Sequence, residues 1–147
     1  MEAEIILNTK KLDIGYGSTY IAKNLMLSLY AGEMVCLIGP NGCGKSNVSD
    51  AIRWVLGEQR VKDLRADSMQ DVIFNGTEKR KAQSYCEVSL FFNNKERMFA
   101  SYDVDEIILT RKLYKSGESE YLINKNTCRR KDIVDALREI GLGKESY

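Results

Sequence analysis

Residues 39–46 read Gly39-Pro40-Asn41-Gly42-Cys43-Gly44-Lys45-Ser46 and match the pattern G-x-x-x-x-G-K-[S/T] at every fixed position. An unbroken apolar run at residues 34–38 precedes the match, which is typical of a strand covered on both faces. After Lys45 the apolar residues recur at helical spacing up to Gly57, a plausible helix stop. The order strand, glycine loop, helix is the setting in which this pattern binds phosphate, so the sequence predicts a phosphate site.

The chemistry of the loop gives its residues distinct roles. Glycines let successive backbone N–H groups point at phosphate oxygens, and the helix that begins near Lys45 adds its positive end. Lys45 is expected to reach the β- and γ-phosphates, and Ser46 to ligate Mg²⁺. For Asn41, a role as a turn former is an equally good interpretation. The nucleotide-binding residues predicted in and beside the loop are Gly39, Asn41, Gly42, Cys43, Gly44, Lys45, Ser46 and Asn47.

Periodicity predicts the elements around the loop. Residues 5–14 and 20–30 are expected to be extended, with a glycine-bounded turn between them, and residues 57–82 form a long surface loop. Strands at 86–92, 107–114 and 121–123 suggest an antiparallel meander, followed by a hairpin turn at 124–126. A last helix is expected over residues 131–140, capped by Gly141. These elements predict an α/β fold.

Composition limits the classes of function. The 147 residues and 44% apolar content suit one globular domain, and 22 basic against 21 acidic residues leave a net charge of +1. Such a balance gives no general attraction to nucleic acid, so any DNA contact must be local. No signal pattern or long apolar run occurs, which favours a cytoplasmic protein with reduced thiols. No structural metal is expected, since histidine is absent and no CxxC spacing occurs among Cys36, Cys43, Cys86 and Cys128.

Several further residues leave two interpretations open. Tyr16, in its glycine-bounded turn, could stack on an adenine ring or cover the edge of the core. Basic runs at 60–65, 79–81 and 129–131 are either solvated loop residues or contacts to a polyanion. No apolar strand leads into the carboxylates Asp63, Asp67 and Asp71, so none of them is expected to be the Walker B aspartate.

Two family resemblances meet inside the glycine loop. Residues from about 5 to 46 resemble the start of an ABC-transporter ATPase subunit, through Gly15-Tyr16-Gly17, residues 25–30, Ala31-Gly32-Glu33 and residues 35–46. Residues from about 46 to 147 resemble the N-terminal head segment of a bacterial structural-maintenance-of-chromosomes (SMC) ATPase. The strings that carry this second, more specific resemblance lie at residues 45–47, 50–59, 71–74, 116–124 and 141–145. The chain is therefore interpreted as an engineered or recombined chimera.

These resemblances imply a fold and further site residues. The implied fold is the N-terminal lobe of an ABC-type P-loop ATPase, with a largely antiparallel sheet beside a P-loop strand–helix unit and residues 1–147 forming one incomplete lobe. Tyr16 matches the transporter aromatic that stacks on adenine. Arg65 matches a head-domain arginine near the phosphates, although Ala66 and Asp67 replace the glycines that usually follow. Arg129 and Lys131 match positions on the DNA-facing side of such heads, where only weak DNA contact is expected.

The resemblance also implies what the chain does not do alone. The sequence ends at Tyr147, before the expected Q-loop, and contains no LSGGQ-like signature, Walker B strand or switch histidine. We therefore expect binding of ATP with Mg²⁺ without efficient hydrolysis. Self-association is expected as well, because the apolar strand at 34–38 requires cover. The alternatives are a fragment chimera with no ligand and a weak DNA-binding head fragment.

Overall fold

The computed structural model describes residues 5–8, 12–16, 19–30, 45–57, 59, 68–73, 75–76, 78–79 and 81–142. The elements within these ranges are strands β1 (Ile5–Asn8), β2 (Leu12–Tyr16), β3 (Thr19–Leu25) and β4 (Ser28–Tyr30), helix α1 (Lys45–Val55), a turn of 3-10 helix (Met69–Val72), strands β5 (Tyr85–Asn93), β6 (Glu106–Tyr114), β7 (Ser119–Ile123) and β8 (Asn126–Cys128), and helix α2 (Arg130–Glu139).

An antiparallel sheet organises the part of the chain that the structure describes. Its strand order is β4-β1-β5-β6-β7-β8, and every neighbouring pair in it is antiparallel. Strands β5 and β6 pair along their whole length, from Tyr85 opposite Tyr114 to Asn93 opposite Glu106. Strand β1 joins them where Asn8 lies opposite Phe91. Strands β2 and β3 form a separate antiparallel pair. The predicted meander is thus confirmed.

Alternation of side chains gives this sheet an apolar and a polar face. Along β5, Leu90 and Phe92 are buried, and they belong to the core cluster together with Ile107 and Leu109 of β6. On the opposite face, cross-strand neighbours make polar contacts, including an ion pair of 3.0 Å between Lys112 Nζ and Glu87 Oε2. Because strand side chains alternate between faces, the period of two in the sequence sets which face is buried.

Both helices contribute to the core on the apolar side. Helix α2 buries Ile133, Ala136 and Leu137, and it ends before Gly141, whose φ of +79° suits glycine. The predicted helix over residues 131–140 is confirmed to within one residue. Burial of these side chains is worth about 25 cal/mol per Å² of apolar surface removed from water, which makes the cluster the main source of stability. Its buried members are Trp54, Val55, Leu56, Ile73, Leu90, Phe92, Phe99, Ile107, Leu109, Leu113, Ile123, Ile133, Ala136 and Leu137.

Some predicted boundaries were wrong. The expected extended segments 5–14 and 20–30 are two strands each, because the chain pairs in two different sheets. Strand β8 was missed, since three residues are too few to show a period. The predicted hairpin turn before it is confirmed, with positive φ at Asn124 and Lys125. Within the predicted surface loop at 57–82, the described residues include the 3-10 turn, and Ile73 just after it is buried in the core. The strand predicted at 34–38 lies outside the described residues.

A buried asparagine fixes the connection from β5 to β6. Asn94 is fully buried, and its Nδ2 donates to Tyr102 O at 3.0 Å and to Val104 O at 2.9 Å. Its Oδ1 accepts a hydrogen bond from Phe99 N at 2.9 Å. A side chain that pairs with several backbone groups of one loop removes the cost of burying those groups unsatisfied. We call residues 94–105 the β5–β6 loop.

The same loop is tied to the end of α2 by a serine and a glutamate. Ser101 donates to the Glu139 carboxylate through its hydroxyl and through its backbone N–H, the latter at 3.1 Å. Both hydrogen bonds lower the pKa of Glu139 below its ordinary value, and the one from the hydroxyl has the larger effect. Because the pKa of Glu139 is lower in the folded state than in the unfolded state, its ionised carboxylate stabilises the fold above the unfolded-state pKa. This stabilisation is lost as the pH falls through the folded-state pKa.

We therefore expect Ser101→Ala to be slightly less stable than the wild type at neutral pH, with a difference that shrinks as the pH falls below about 4. The site is exposed, so the effect is small. Thermal unfolding of both proteins between pH 7 and pH 3 measures this difference. An NMR titration should also show the Glu139 pKa returning toward its ordinary value in Ser101→Ala. A stability difference that is the same at both ends of the pH range would contradict the assignment.

Candidate functional site

The start of α1 places the last two residues of the glycine-loop motif. Lys45 is the first residue of the helix, and Ser46, the second, is exposed. No acidic residue occurs in the first turn, while Arg53 lies in the last turn. A helix carries a partial positive charge at its N-terminus and a partial negative charge at its C-terminus. The first turn of α1 therefore offers an anion the positive end of a helix, and the prediction that the motif opens a helix is confirmed.

The middle of α1 anchors the helix to the sheet. Val48 and Val55 are buried and Ile52 is half-buried, at the spacing of one helical face. This face packs against β5 and β6. Gly57 follows with a φ of +106°, a conformation that L side chains rarely adopt, so the chain leaves the helix where the sequence predicted its end. Helix α1 is thus docked along its length, while Ser46 in its first turn is exposed.

The end of α1 contacts an arginine of the sheet. Arg111 of β6 is only 2% exposed, and its Nη1 donates a hydrogen bond to Trp54 O at 2.8 Å. The guanidinium carbon lies 4.6 Å from the centroid of the Trp54 ring and 5.1 Å from that of Tyr121. The Tyr121 hydroxyl accepts a hydrogen bond from Gln59 Nε2 at 3.0 Å. We call Trp54, Arg111 and Tyr121 the arginine stack; it joins the end of α1 to β6 and β7.

Arg111 and its neighbours were not predicted as site residues. A signal for them was present in the sequence, because Arg111 occupies an inward position of β6 between Leu109 and Leu113. Charged residues are almost never fully buried unless they are paired, so an arginine in the apolar register of a strand indicates a specific contact. The identity of that contact, a helix carbonyl distant in sequence, could not be read from spacing.

Most of the other predicted nucleotide ligands lie outside the described residues. Asn47 is half-buried in α1, and Tyr16 is the last residue of β2, opposite Thr19 of β3. The role of each in nucleotide binding stays a prediction. The predicted ligands that lie outside the described residues are Gly39, Asn41, Gly42, Cys43, Gly44 and Arg65.

The predicted DNA-contact residues lie at the start of α2. Arg129 and Lys131 are both exposed. The Arg129 N–H donates to Asp132 Oδ2 at 2.8 Å, and its guanidinium lies 3.5 Å from Oδ1 of the same carboxylate. The backbone hydrogen bond from Arg129 is the main reason why the pKa of Asp132 is lowered. Because Asp132 offsets part of the positive charge here, DNA contact by Arg129 and Lys131 stays a prediction.

The described cysteines are unsuited to reactions that require a thiolate. Burial raises the pKa of the Cys86 thiol to about 11, and it also raises the pKa of Cys128. Both groups are therefore thiols at neutral pH. Among the described residues, no cluster of three or more histidine, cysteine, aspartate or glutamate side chains could hold a metal ion. In the same part of the chain, no helix is long and apolar enough to cross a membrane.

The fold and the site together define a class of protein. A P-loop motif at the start of a helix, docked on an antiparallel sheet, is the arrangement of the N-terminal lobe of a P-loop ATPase head. A family model described as the RecF/RecN/SMC N terminal domain matches residues 18–146, so the chain belongs to this family. The α/β fold and the SMC-type head implied by the resemblance are confirmed.

Similar proteins agree with this assignment. The chain is 45% identical over 138 residues to the chromosome partition protein Smc of Bacillus subtilis, covering 94% of this chain and 11% of that protein. It is 49% identical over 119 residues to the Smc protein of Clostridium kluyveri, covering 81% of this chain and 10% of that protein. The chain thus spans about a tenth of the length of these relatives.

A solved structure of an SMC ATPase shows the same fold. It matches with a TM-score of 0.78 and 32% identity over 99% of this chain and 82% of that chain. That protein is described by its ATP-driven dimerization and DNA-stimulated activation.

Proposed function

We propose that this chain binds the triphosphate of ATP together with Mg²⁺ through Gly39–Ser46. The observation that carries the proposal is the placement of Lys45 and Ser46 in the first turn of a helix that has no acidic residue there and is docked on the sheet. Such a turn offers backbone N–H groups and a positive dipole end to an anion. Membership of the RecF/RecN/SMC family supports the same function.

The residues of the first turn fit a magnesium-bound triphosphate. The Ser46 side chain is exposed, so its hydroxyl is accessible to a ligand, and a hydroxyl oxygen is a donor that Mg²⁺ accepts. Mg²⁺, when bound, supplies positive charge to the β- and γ-phosphate oxygens. Lys45 would add the positive charge of its ammonium to these phosphates. Arg65 is proposed to lie near the same phosphates.

Hydrolysis by the chain alone is not part of the proposal. Phosphoryl transfer requires a group that positions the attacking water, and P-loop ATPases use residues of Walker B and signature segments for this step. The 147 residues contain neither pattern. We therefore propose one incomplete head lobe, residues 1–147, that holds nucleotide without efficient turnover. Phosphate release well above that of a Lys45→Ala control would contradict this part.

Calorimetric titration with ATP at moderate Mg²⁺ concentration tests the binding proposal. A saturable heat with one site per chain is expected. No heat in a protein shown by circular dichroism to be folded would instead favour the alternative of a fragment without a ligand. A parallel titration with duplex DNA tests the DNA-binding alternative, which requires an affinity that falls steeply with salt concentration.

Tyr16 provides a test of how the base is held. If its ring stacks on adenine, ATP should bind more tightly than inorganic triphosphate by roughly 1–3 kcal/mol, the value of stacking a base on an aromatic side chain. Tyr16→Ala should then remove the difference, whereas Tyr16→Phe should keep it. Competition titrations of both ligands against a fluorescent nucleotide measure the two affinities. Equal affinities in the wild type would assign Tyr16 to packing.

We also propose that the chain associates with itself. The apolar strand predicted at residues 34–38 requires cover on both faces, and an SMC ATPase similar to this chain is described by ATP-driven dimerization. Light scattering coupled to gel filtration should show a dimer or a larger species at micromolar concentration. A monodisperse monomer, with and without Mg-ATP, would contradict the proposal.

That residues 5–46 come from a transporter-type ATPase stays a prediction. A transporter-type segment joined to an SMC-type head receives no support from the comparisons, because the alignment with the Bacillus subtilis protein extends over 94% of the chain. We infer that the P-loop function holds for either origin, since both families place the same motif before the same helix.

A further inference from the structure

Among the residues whose side-chain burial the structure describes, Arg111 is the one charged residue that is buried. Its position on β6 faces the core, between Leu109 and Leu113, where an apolar residue would complete the pattern. Removing a charge from water is costly, so a buried arginine requires strong compensating contacts. The contacts in this protein run to the helix that opens with Lys45 and Ser46.

The geometry of the arginine stack suits the end of a helix. Nη1 of Arg111 donates to Trp54 O at 2.8 Å, in the last turn of α1. The last four carbonyls of a helix have no partner within it and carry the negative end of its dipole, so a cation is favoured there. The rings of Trp54 and Tyr121 lie 4.6 and 5.1 Å from the guanidinium carbon. Contacts to two rings fix the direction of the guanidinium as well as its position.

We propose that Arg111 is a positioning residue for triphosphate binding: by holding the C-terminal end of α1 against the sheet, it sets where Lys45 and Ser46 lie at the other end. This inference rests on the proposed nucleotide-binding function. Arg111 would thus affect the phosphate site although its side chain does not line that site.

Because α1 is several turns long, a small tilt at its C-terminal end displaces its first turn appreciably. Helix α1 has 11 residues, which corresponds to a length of about 16 Å at 1.5 Å per residue. A tilt of about 10° at the Trp54 end would displace the first turn by roughly 3 Å over that length. A displacement of that size takes an N–H donor out of the range of about 2.7–3.2 Å in which it hydrogen-bonds to an oxygen. Loosening the arginine stack should therefore reduce phosphate affinity without removing any ligand atom.

The chemistry also distinguishes arginine from lysine at this position. A lysine could donate to Trp54 O, but its ammonium is a compact point charge that lacks the planar surface of a guanidinium. Methionine has a similar apolar stem and neither the donor nor the charge. The order of affinity expected from the proposal is therefore wild type, then Arg111→Lys, then Arg111→Met.

The test is a calorimetric titration of Mg-ATP into the wild type, Arg111→Lys and Arg111→Met. We expect the dissociation constant to rise about tenfold for Arg111→Lys, the equivalent of about one hydrogen bond to the phosphates, and more for Arg111→Met. Lys112→Met is the matched control, because it removes a charge from the next residue of β6 on the opposite face. Ala136→Gly is a second control that weakens α2 and leaves α1 unchanged. Both controls should bind within twofold of the wild type.

The fluorescence of Trp54 gives an independent signal, since it is the sole tryptophan of the chain. Nucleotide bound at the first turn should change its emission in the wild type, and this change should be lost or reduced in the Arg111 variants. If Arg111→Met does not fold, Tyr121→Leu removes one ring of the stack from a half-buried position and should weaken binding in the same direction.

The outcomes separate the inference from the function on which it rests. If the wild type does not bind Mg-ATP, the proposed function is wrong and the inference is overturned with it. If the wild type binds and the Arg111 variants bind within twofold, the inference alone is overturned. It is also overturned if Ala136→Gly, at a comparable loss of thermal stability, weakens binding as much as Arg111→Lys does.

Discussion

Replacement of Lys45 by alanine is expected to weaken binding of Mg-ATP by about 1.5–3 kcal/mol, the value of a hydrogen bond that involves a charged group. Each 1.4 kcal/mol corresponds to about a factor of ten in the dissociation constant. The stability of the fold should change little, because Lys45 is the first residue of α1 and alanine is the best helix former. Calorimetric titration and thermal unfolding measure the two quantities on the same sample.

Lys115→Ala is the control for this experiment. Lys115 follows the end of β6, its side chain is exposed, and its backbone N–H donates to Ser84 O at 2.9 Å, a bond that alanine keeps. The change in net charge is the same as for Lys45→Ala, so any general electrostatic effect on ATP appears in both proteins. Unchanged affinity in a folded Lys45→Ala protein would sink the binding proposal.

Asn94→Ala is expected to lower the free energy of unfolding by about 3–5 kcal/mol, because backbone groups of the β5–β6 loop that pair with this buried side chain lose their partners together and each such loss costs about 1–3 kcal/mol. Nδ2 of Asn94 donates to Tyr102 O and Val104 O, and Oδ1 accepts from Phe99 N. The Asn94 side chain is 0% exposed, and Phe99, whose backbone N–H pairs with it, is buried as well. Urea unfolding with a two-state analysis gives the free energy of unfolding.

The neighbouring asparagine provides the matched control. Asn93 accepts one hydrogen bond, from Lys95 N at 3.0 Å, in an exposed setting, so Asn93→Ala should cost less than about 1 kcal/mol. Asn94→Asp has nearly the same shape as the wild type, but it turns the Nδ2 donor into an acceptor that faces carbonyl oxygens, and it should be at least as destabilised as Asn94→Ala. Equal free energies of unfolding for Asn93→Ala and Asn94→Ala would show that the loop does not depend on Asn94.

The difference in burial between Asn93 and Asn94 could not be predicted from the sequence. Two identical residues stand side by side, and their types give no indication that Asn94 is fully buried and Asn93 only half-buried. The distinction arises from the chain reversal after β5, which turns one side chain inward to meet carbonyls from residues 99–104. A polar network of this kind depends on tertiary contacts that no local pattern encodes.

The elements with a strong local signal were predictable. Helix α1 and its stop at Gly57 followed from apolar spacing, and β5, β6 and β7 followed from alternation, with boundaries correct to within one or two residues. These signals are strong because burial of one face imposes a period on the sequence. The division of residues 5–30 into four strands had no such signal, since the period does not tell which sheet a strand joins.

The candidate site was predicted in part. The motif gave Lys45 and Ser46 and their place at the start of a helix, because the spacing of glycine, lysine and serine is itself the signal. Arg111 is more than fifty residues away from Trp54, whose carbonyl it contacts. A contact between residues so far apart in sequence depends on how α1 crosses the sheet. In the sequence, the one local indication of it was the charge of Arg111 in an otherwise apolar strand.

The pairing of Asn8 with Phe91 bears on how the protein folds. Strands β5 to β8 are consecutive in the chain and each pairs with the next, so their meander closes smaller loops than the pairing of β1 with β5 does and can form early. Strand β1 must find β5 across more than half of the chain, a search whose loop-closure entropy is larger. The segment that contains the glycine loop lies inside that long loop. The phosphate site is therefore expected to be assembled late, on a meander that has already formed.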